Sequence, residues 1–252
     1  MPPLPDAFLA RPITHRALHD GNVTRAENNL AAIDAAIDAG FGIEIDIQPA
    51  RDNTPMVFHD YDLARLTDLR GPIAMQTTDT LSRATFTTGE TGVPTLADVL
   101  KRIAGRVPLL IEIKDQDGNM GPDIGPLEAA MAPLLNAYKG PVAVMSFNPH
   151  SVIEMARLSP QIPRGLTTSA FAPDNWPLLS DQTRRHLRTI PDYDTAGASF
   201  ISHHWSDLGT PRVRALKDSG AKILCWTVRS GDDERAARTV ADNITFESYL
   251  PA

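Results

Sequence analysis

Charged side chains recur in this sequence where an apolar core is expected. In Gly42-Ile43-Glu44-Ile45-Asp46-Ile47-Gln48, isoleucines alternate with acidic and amide residues. Alternate residues of a strand share a face, so Ile43, Ile45 and Ile47 point one way and Glu44, Asp46 and Gln48 the other. Leu110-Ile111-Glu112-Ile113-Lys114 repeats the arrangement, placing Glu112 and Lys114 opposite the isoleucines. If the isoleucines pack beneath helices, the carboxylates face the interior. Like charges a few ångströms apart are unfavourable there unless a shared proton, basic side chains or a metal joins them. Glu44, Asp46 and Glu112 converging from neighbouring strands would suit a hard divalent cation, Mg²⁺ or Ca²⁺, with Mn²⁺ a further candidate. An internal salt-bridge layer neutralised by Lys114 and an arginine would satisfy the same charges without a metal.

Two histidines bear on that choice. His15-Arg16 ends one short apolar run, and His59-Asp60 follows Met56-Val57-Phe58. Both are expected on the C-terminal side of strands, where barrel enzymes place their chemistry. Histidine suits proton transfer near neutral pH, and a pair beside a carboxylate cluster can supply both a base and an acid.

The elements that must position these groups follow a regular alternation. Strand-like runs fall at Pro12–His15, Gly42–Gln48, Pro108–Lys114, Val142–Phe147, Arg164–Thr168, Ser199–His203, Lys222–Val228 and Asn243–Glu247. Helix-like segments lie between them, around Asn28–Ala39, Thr95–Ile103, Leu127–Tyr138, Pro149–Leu158, Asp181–Thr189, Pro211–Ser219 and Gly231–Val240. The first of these carries alanines and isoleucines at helical spacing and stops at Gly40, a natural cap. Parallel strands need crossovers, so strands alternating with helices argue for βαβ units. Eight such strands in 252 residues favour an α/β fold of the (β/α)8 TIM-barrel type over an open doubly wound sheet. No Gly-x-Gly-x-x-Gly follows the first strand. Residues 1–252 read as a single barrel domain with a short insertion after the second strand, covering about residues 61–93. That threonine-rich segment has no helical period and reads either as a decorated loop or as a lid.

Composition narrows the function classes. With 42% hydrophobic and 22% charged residues, the chain can bury a substantial core. The net charge is −7 and no lysine- or arginine-rich run occurs, which argues against nucleic acid or an anionic membrane as partner. No apolar stretch approaches a membrane span, so no stable membrane insertion is expected. The N-terminal sequence lacks the features of a secretory signal, giving a cytoplasmic location as the default expectation. One cysteine, Cys225, excludes an intrachain disulfide and a cysteine-rich zinc site, and it reads as a small buried apolar residue.

The ordered set of motifs is similar to that of the glycerophosphodiester phosphodiesterase family. It runs His15-Arg16, Glu27-Asn28-Asn29, Glu44-x-Asp46, Arg51-Asp52, His59-Asp60 and Arg65-Leu66-Thr67. It continues through Pro94-Thr95-Leu96, Glu112-x-Lys114, Ser146-Phe147 and Trp226-Thr227-Val228. The resemblance spans essentially the whole chain and is densest in its first half. It implies a (β/α)8 barrel with a small insertion, and release of sn-glycerol 3-phosphate and an alcohol from a small glycerophosphodiester. It further implies Glu44, Asp46 and Glu112 as ligands of a divalent metal and His15 and His59 as the acid–base pair. Arg16 and Lys114 match the residues that hold the phosphate. Alternative readings are a lysophospholipase D-type activity on lipid diesters and a barrel that binds phosphorylated ligands without turnover.

The chain departs from the family pattern at three places. Ala17 stands where glycine is usual, so the turn there is expected to differ, because alanine takes positive φ less readily. Trp226-Thr227-Val228 leads to Arg229 where asparagine is common, and Arg229 either adds positive charge near the rim or, the preferred expectation, points to solvent. The last strand ends in Phe246-Glu247 rather than Thr-Asp, and the bulkier phenylalanine would reshape the pocket. Phe147 and Trp226 offer an apolar wall to the alcohol side of a substrate, or else pack in the core. His203, His204 and Trp205 are candidates for lining the pocket, with His204 and Trp205 equally readable as rim residues, and His19, His150 and His186 read as surface or loop residues.

Overall fold

The computed structural model describes residues 1–251. Eight parallel strands close into a barrel in the order β1 (Ile13–Thr14), β2 (Gly42–Pro49), β4 (Leu109–Ile113), β5 (Val142–Ser146), β6 (Arg164–Thr168), β7 (Phe200–His204), β8 (Lys222–Val228) and β9 (Asn243–Phe246). Closure comes from β1, which pairs with β2 on one side and β9 on the other. Helices α2 (Leu30–Asp38), α4 (Leu96–Ile103), α5 (Pro126–Ala137), α6 (Pro149–Leu158), α7 (Asp181–Arg188), α8 (Pro211–Asp218) and α9 (Gly231–Ala237) lie between the strands. The alternation read from β2 and β4 holds. Ile43, Ile45, Ile47, Ile111 and Ile113 are buried against helix residues such as Ile33, Val99 and Met131, and the charged side chains face the interior.

Two local devices fix helix entry near the site. Thr95 and Asp98 form a reciprocal capping box at the start of α4. Asn29 caps α2 by accepting from the Ala31 N–H. Gly40, at φ +70°, lies just beyond the end of α2.

A short helix, α1 (Ala7–Ala10), closes the N-terminal floor of the barrel, a role its sequence did not advertise. Leu4 and Phe8 pack among the interior residues Leu110, Ala143, Met145, Phe200 and Leu224. Asn243 Nδ2 ties this segment to the last strand, donating to Phe8 O and Arg11 O at 2.7 Å each. The Phe200 ring fills the space beside Gly165, where a Cβ would lie only 2.4 Å from Phe200 Cε2.

His59 does not follow a barrel strand. Residues Pro55–Val57 form β3, which runs antiparallel to the end of β2 with Ile47 opposite Val57. The hairpin carries the chain outward past the barrel rim and back, and His59 arrives over the mouth on the return. The segment 61–93 is irregular, with 3-10 turns at Leu63–Arg65 and Ile73–Met75 and one short helix, α3 (Thr78–Leu81). Such short turns carry no helical period. The segment builds its own apolar cluster of Leu63, Leu66, Ile73, Leu81, Phe86 and Val93 against Met56 and Phe58. None of its residues lines the central cavity, so the lid reading gives way to a packed side decoration.

Candidate active site

A cavity of about 260 Å³ opens at the C-terminal end of the barrel. It is lined by His15, Arg16, Glu44, Asp46, His59, Glu112, Lys114, Phe147 and Trp226, all of the expected site residues. Carboxylate oxygens of Glu44, Asp46 and Glu112 lie within 4.8 Å of one another, although the three residues are 2%, 2% and 7% exposed.

The basic residues balance part of this charge. Lys114 Nζ donates to Glu112 Oε1 at 2.9 Å and lies 3.4 Å from Asp46 Oδ1. Burial alone would lower the Lys114 pKa, but Glu112 and Asp46 outweigh it and hold the ammonium well above its ordinary range. Arg16 Nε lies 3.7 Å from Asp46 Oδ2, and Asn28 Nδ2 donates to the same oxygen at 2.9 Å. Asp46 is thereby held below the usual carboxylate range: burial pushes it up, and Lys114, His59, Arg16 and Asn28 together pull it further down. Glu44 receives only the Arg16 backbone N–H, at 2.8 Å. Burial, with Asp46 and Glu112 nearby, pushes it well above the ordinary range. Three interior carboxylates thus stand against two side-chain cations. The donor set is all oxygen, and with all three carboxylates ionised it is short of one positive charge, which fits a divalent cation held by Glu44, Asp46 and Glu112.

In the His15-Arg16-Ala17 turn, alanine takes the positive φ that glycine would adopt more readily. Arg16 and Ala17 both take left-handed backbone angles, φ 52° and 65°. The Ala17 N–H reaches Glu44 O at 2.9 Å, and the turn aims the Arg16 N–H at the Glu44 carboxylate. Backbone hydrogen bonding and burial of the Ala17 methyl in the helix-side core stand against the strain of positive φ.

Each histidine is gripped at Nδ1 by a carboxylate. His15 Nδ1 lies 2.5 Å from Glu247 Oε2, and His59 Nδ1 lies 2.7 Å from Asp60 Oδ1. Each carboxylate is in turn held by an arginine. Arg229 Nε donates to Glu247 Oε1 at 2.7 Å, and Arg65 donates to both oxygens of Asp60 at 2.5 and 2.9 Å. Arg65 also reaches Glu27 Oε1 at 2.6 Å, and Arg16 Nη1 donates to the same atom at 2.8 Å. Glu27 is lowered to about 2; burial opposes the shift, and Arg65, Arg16 and Asn22 overcome it. Burial raises Glu247, but the hydrogen bond from His15, with His19 and Arg229 nearby, holds it below the usual range, so it accepts and His15 Nδ1 donates. Burial lowers the His15 pKa to about 4 despite Glu247. Nε2 of each histidine is left as the nitrogen a substrate can meet.

Phe147 and Trp226 form a wall rather than core. Their rings meet edge-on with centroids 5.4 Å apart, and Trp176 adds a third ring 4.8 Å from Phe147. Trp226 keeps its indole N–H satisfied by Ser202 O at 3.0 Å. Trp176 lies on the loop after β6, and no local pattern marked it. Asn28 carried a signal, since it takes φ 59°, a backbone region asparagine tolerates better than most residues.

Other expectations are corrected. Arg229 is 56% exposed yet pairs with Glu247 and lines the cavity. His19 lies on the loop after β1, as expected, but its side chain is only 8% exposed and Nε2 sits 3.6 Å from Glu247 Oε2. His203 is buried away from the cavity between Thr168 Oγ1, 2.7 Å from Nδ1, and Asp207. The His204 ring packs edge-on to Trp226 at 5.0 Å. Cys225 is buried, its thiol pushed up to about 12 by desolvation. Among the described residues no helix is long and apolar enough to cross a membrane.

Comparisons with known proteins bear on the family and the fold. Residues 15–244 match the glycerophosphoryl diester phosphodiesterase family. The chain is 31% identical over 225 residues to the uncharacterized protein YqiK of Bacillus subtilis, covering 82% of this chain and 83% of that one. It is 26% identical over 229 residues to a glycerophosphodiester phosphodiesterase of Caldanaerobacter subterraneus, covering 86% and 87%. Among solved structures, an Oleispira antarctica phosphodiesterase in complex with the product sn-glycerol-3-phosphate superposes with a TM-score of 0.78 at 24% identity, covering 96% of this chain and 94% of that one. A Thermotoga maritima glycerophosphodiester phosphodiesterase superposes with a TM-score of 0.70 at 18% identity, covering 94% of each.

Proposed function

Since the chain belongs to the glycerophosphoryl diester phosphodiesterase family, we propose that it hydrolyses small glycerophosphodiesters to sn-glycerol 3-phosphate and an alcohol, with a divalent metal and two histidines. The observation that carries this reading is the convergence, on one cavity, of three buried carboxylates with two carboxylate-held histidines. The relative solved with sn-glycerol-3-phosphate supports the same product.

Glu44, Asp46 and Glu112 would hold the metal. When bound, it supplies positive charge beside the non-bridging phosphate oxygens, where charge grows in the transition state. Lys114, kept as an ammonium, and the Arg16 guanidinium add donors on the same side. A neutral hydroxyl is a weak nucleophile, so removing its proton during attack matters, and the cationic groups offset the repulsion between the developing anion and the phosphodiester. His15 enters the cycle neutral, because burial holds its pKa at about 4, and its Nε2 can take that proton. Glu247 fixes the ring's tautomer by accepting from Nδ1 and stabilises the charge that His15 gains. His59, oriented by Asp60, donates a proton to the departing alkoxide. Arg65 bridges Asp60 to Glu27, and so couples the histidine to the residue that also holds Arg16.

Release of glycerol 3-phosphate from glycerophosphoethanolamine and glycerophosphocholine tests the proposal. Turnover should vanish with chelator and return with Mg²⁺, Mn²⁺ or Ca²⁺. Turnover of lysophosphatidylcholine in place of both water-soluble diesters would move the assignment to lipid diesters, and turnover indifferent to chelator would overturn the metal site.

A further inference from the structure

We propose that Arg229 selects the alcohol half of the substrate and favours glycerophosphodiesters whose alcohol carries a negative charge; this rests on the diesterase reading above. The argument begins with position. The groups assigned to the phosphate stand at the ends of β1, β2 and β4. Arg229 directly follows β8, and β8 lies four strands from β4 in either direction around the closed barrel. A diester whose phosphorus sits by Glu112 and Lys114 therefore extends one ester arm across the mouth toward Arg229. The wall it passes is formed by Phe147, Trp176 and Trp226.

Charge completes the argument. The Arg229 Nε is taken by Glu247, but its two terminal nitrogens have no hydrogen-bond partner among the described residues. They belong to a side chain that lines the cavity and is 56% exposed. Glu247 meets Arg229 through Nε alone, its other oxygen facing His15 Nδ1, so the two terminal nitrogens stay turned to the cavity mouth. What remains is a permanent cation presenting a planar donor pair at the alcohol end, a geometry that suits a carboxylate or a phosphate. The three rings alone would welcome an alkylammonium group through cation–π attraction. A guanidinium at the same rim opposes that choice.

The test compares kcat/KM for three diesters of sn-glycerol 3-phosphate with two-carbon alcohols of different charge: glycolate, ethylene glycol and ethanolamine. The wild-type enzyme should prefer the glycolate diester to the ethylene glycol diester by about fivefold, as expected for one partly exposed charged hydrogen-bonding group, and should turn over the ethanolamine diester least well. The preference should shrink in 0.5 M salt. Arg229 also anchors Glu247, so absolute rates are expected to fall in its variants, and the ratio between substrates is the readout. Arg229→Gln should bring the three substrates within about twofold of each other, Arg229→Glu should reverse the order, and Arg229→Lys should keep it. A wild-type preference for ethanolamine, or a ratio that Arg229→Gln leaves unchanged, would overturn the proposal while leaving the diesterase reading intact. No hydrolysis of any of the three by the wild-type enzyme would overturn both.

Discussion

Asp46 and Glu112 are direct register partners across the β2–β4 ladder, and both side chains face the barrel interior. The spacing of two candidate metal ligands is therefore set by strand pairing and not by loop conformation. Glu44, two residues before Asp46 on the same face, completes the set.

That arrangement predicts proton release on metal binding. Glu44 is pushed above the ordinary carboxylate range by burial and by Asp46 and Glu112, so a bound divalent cation should displace its proton. Calorimetric titration in buffers of different ionisation enthalpy should show net proton release on metal binding, growing as the pH is lowered. Saturating metal should raise stability by about 2.7 kcal/mol at a hundred times Kd, and Asp46→Asn should abolish both effects.

The histidine assignments separate by leaving group. His15→Ala and His59→Ala should each lower kcat by about 10²- to 10⁴-fold with little change in melting temperature. A diester with a p-nitrophenolate leaving group needs no protonation on departure. It should rescue His59→Ala but not His15→Ala; rescue of His15→Ala alone would reverse the assignment, and rescue of both would void it.

The pH dependence follows from the lowered His15 pKa. The acid limb of kcat/KM should lie near pH 4 and not near 6.5, because His15 remains neutral down to that range. Its contribution to stability is complete above about pH 6.5, where the unfolded histidine is also neutral, and is lost as the pH falls through about 4. Glu247 raises the His15 pKa, so Glu247→Gln should move the acid limb lower still. The same change should cut kcat by about 10- to 100-fold, with KM affected less.

Ala17 sets two effects against each other. Glycine there would relieve about 1 kcal/mol of positive-φ strain but give up about 0.8 kcal/mol of buried methyl. Ala17→Gly should therefore be nearly neutral in chemical denaturation. Ala17→Val, with a branched Cβ at φ 65°, should cost well over 1 kcal/mol.

Gly165 admits no side chain while Phe200 keeps its place. Gly165→Ala would put a methyl 2.4 Å from Phe200 Cε2 and should destabilise the protein by about 1–3 kcal/mol. Phe200→Leu in the same chain should recover part of the loss.

Much of the barrel was legible because its strands obey a two-residue period that the interior charges interrupt. Glu44, Asp46 and Glu112 stood out because carboxylates alternated with isoleucines, and the structure groups them as that alternation implied. Less visible was everything held by long-range packing. The helix carrying Phe8 is four residues long, and its meaning lies in the barrel floor it covers. The β2–β3 hairpin escaped because three residues opposite the end of a strand carry no period. Arg229 and Glu247 each looked like an isolated departure; 18 residues apart in sequence, they form one ion pair in the fold. The loop position of His19 was legible but its place beside Glu247 was not, since only the course of β9 brings Glu247 to it.

The hydrogen bonds from Asn243 to Phe8 O and Arg11 O join residues 235 and 232 positions apart. During synthesis the ribosome releases β1 and the floor helix long before β9, so the first strand waits with one edge bare until the last strand arrives. The barrel is sealed by its final piece. A nascent chain halted before Asn243 would carry an open strand edge and an untethered floor, and would be a substrate for chaperones rather than a smaller working enzyme.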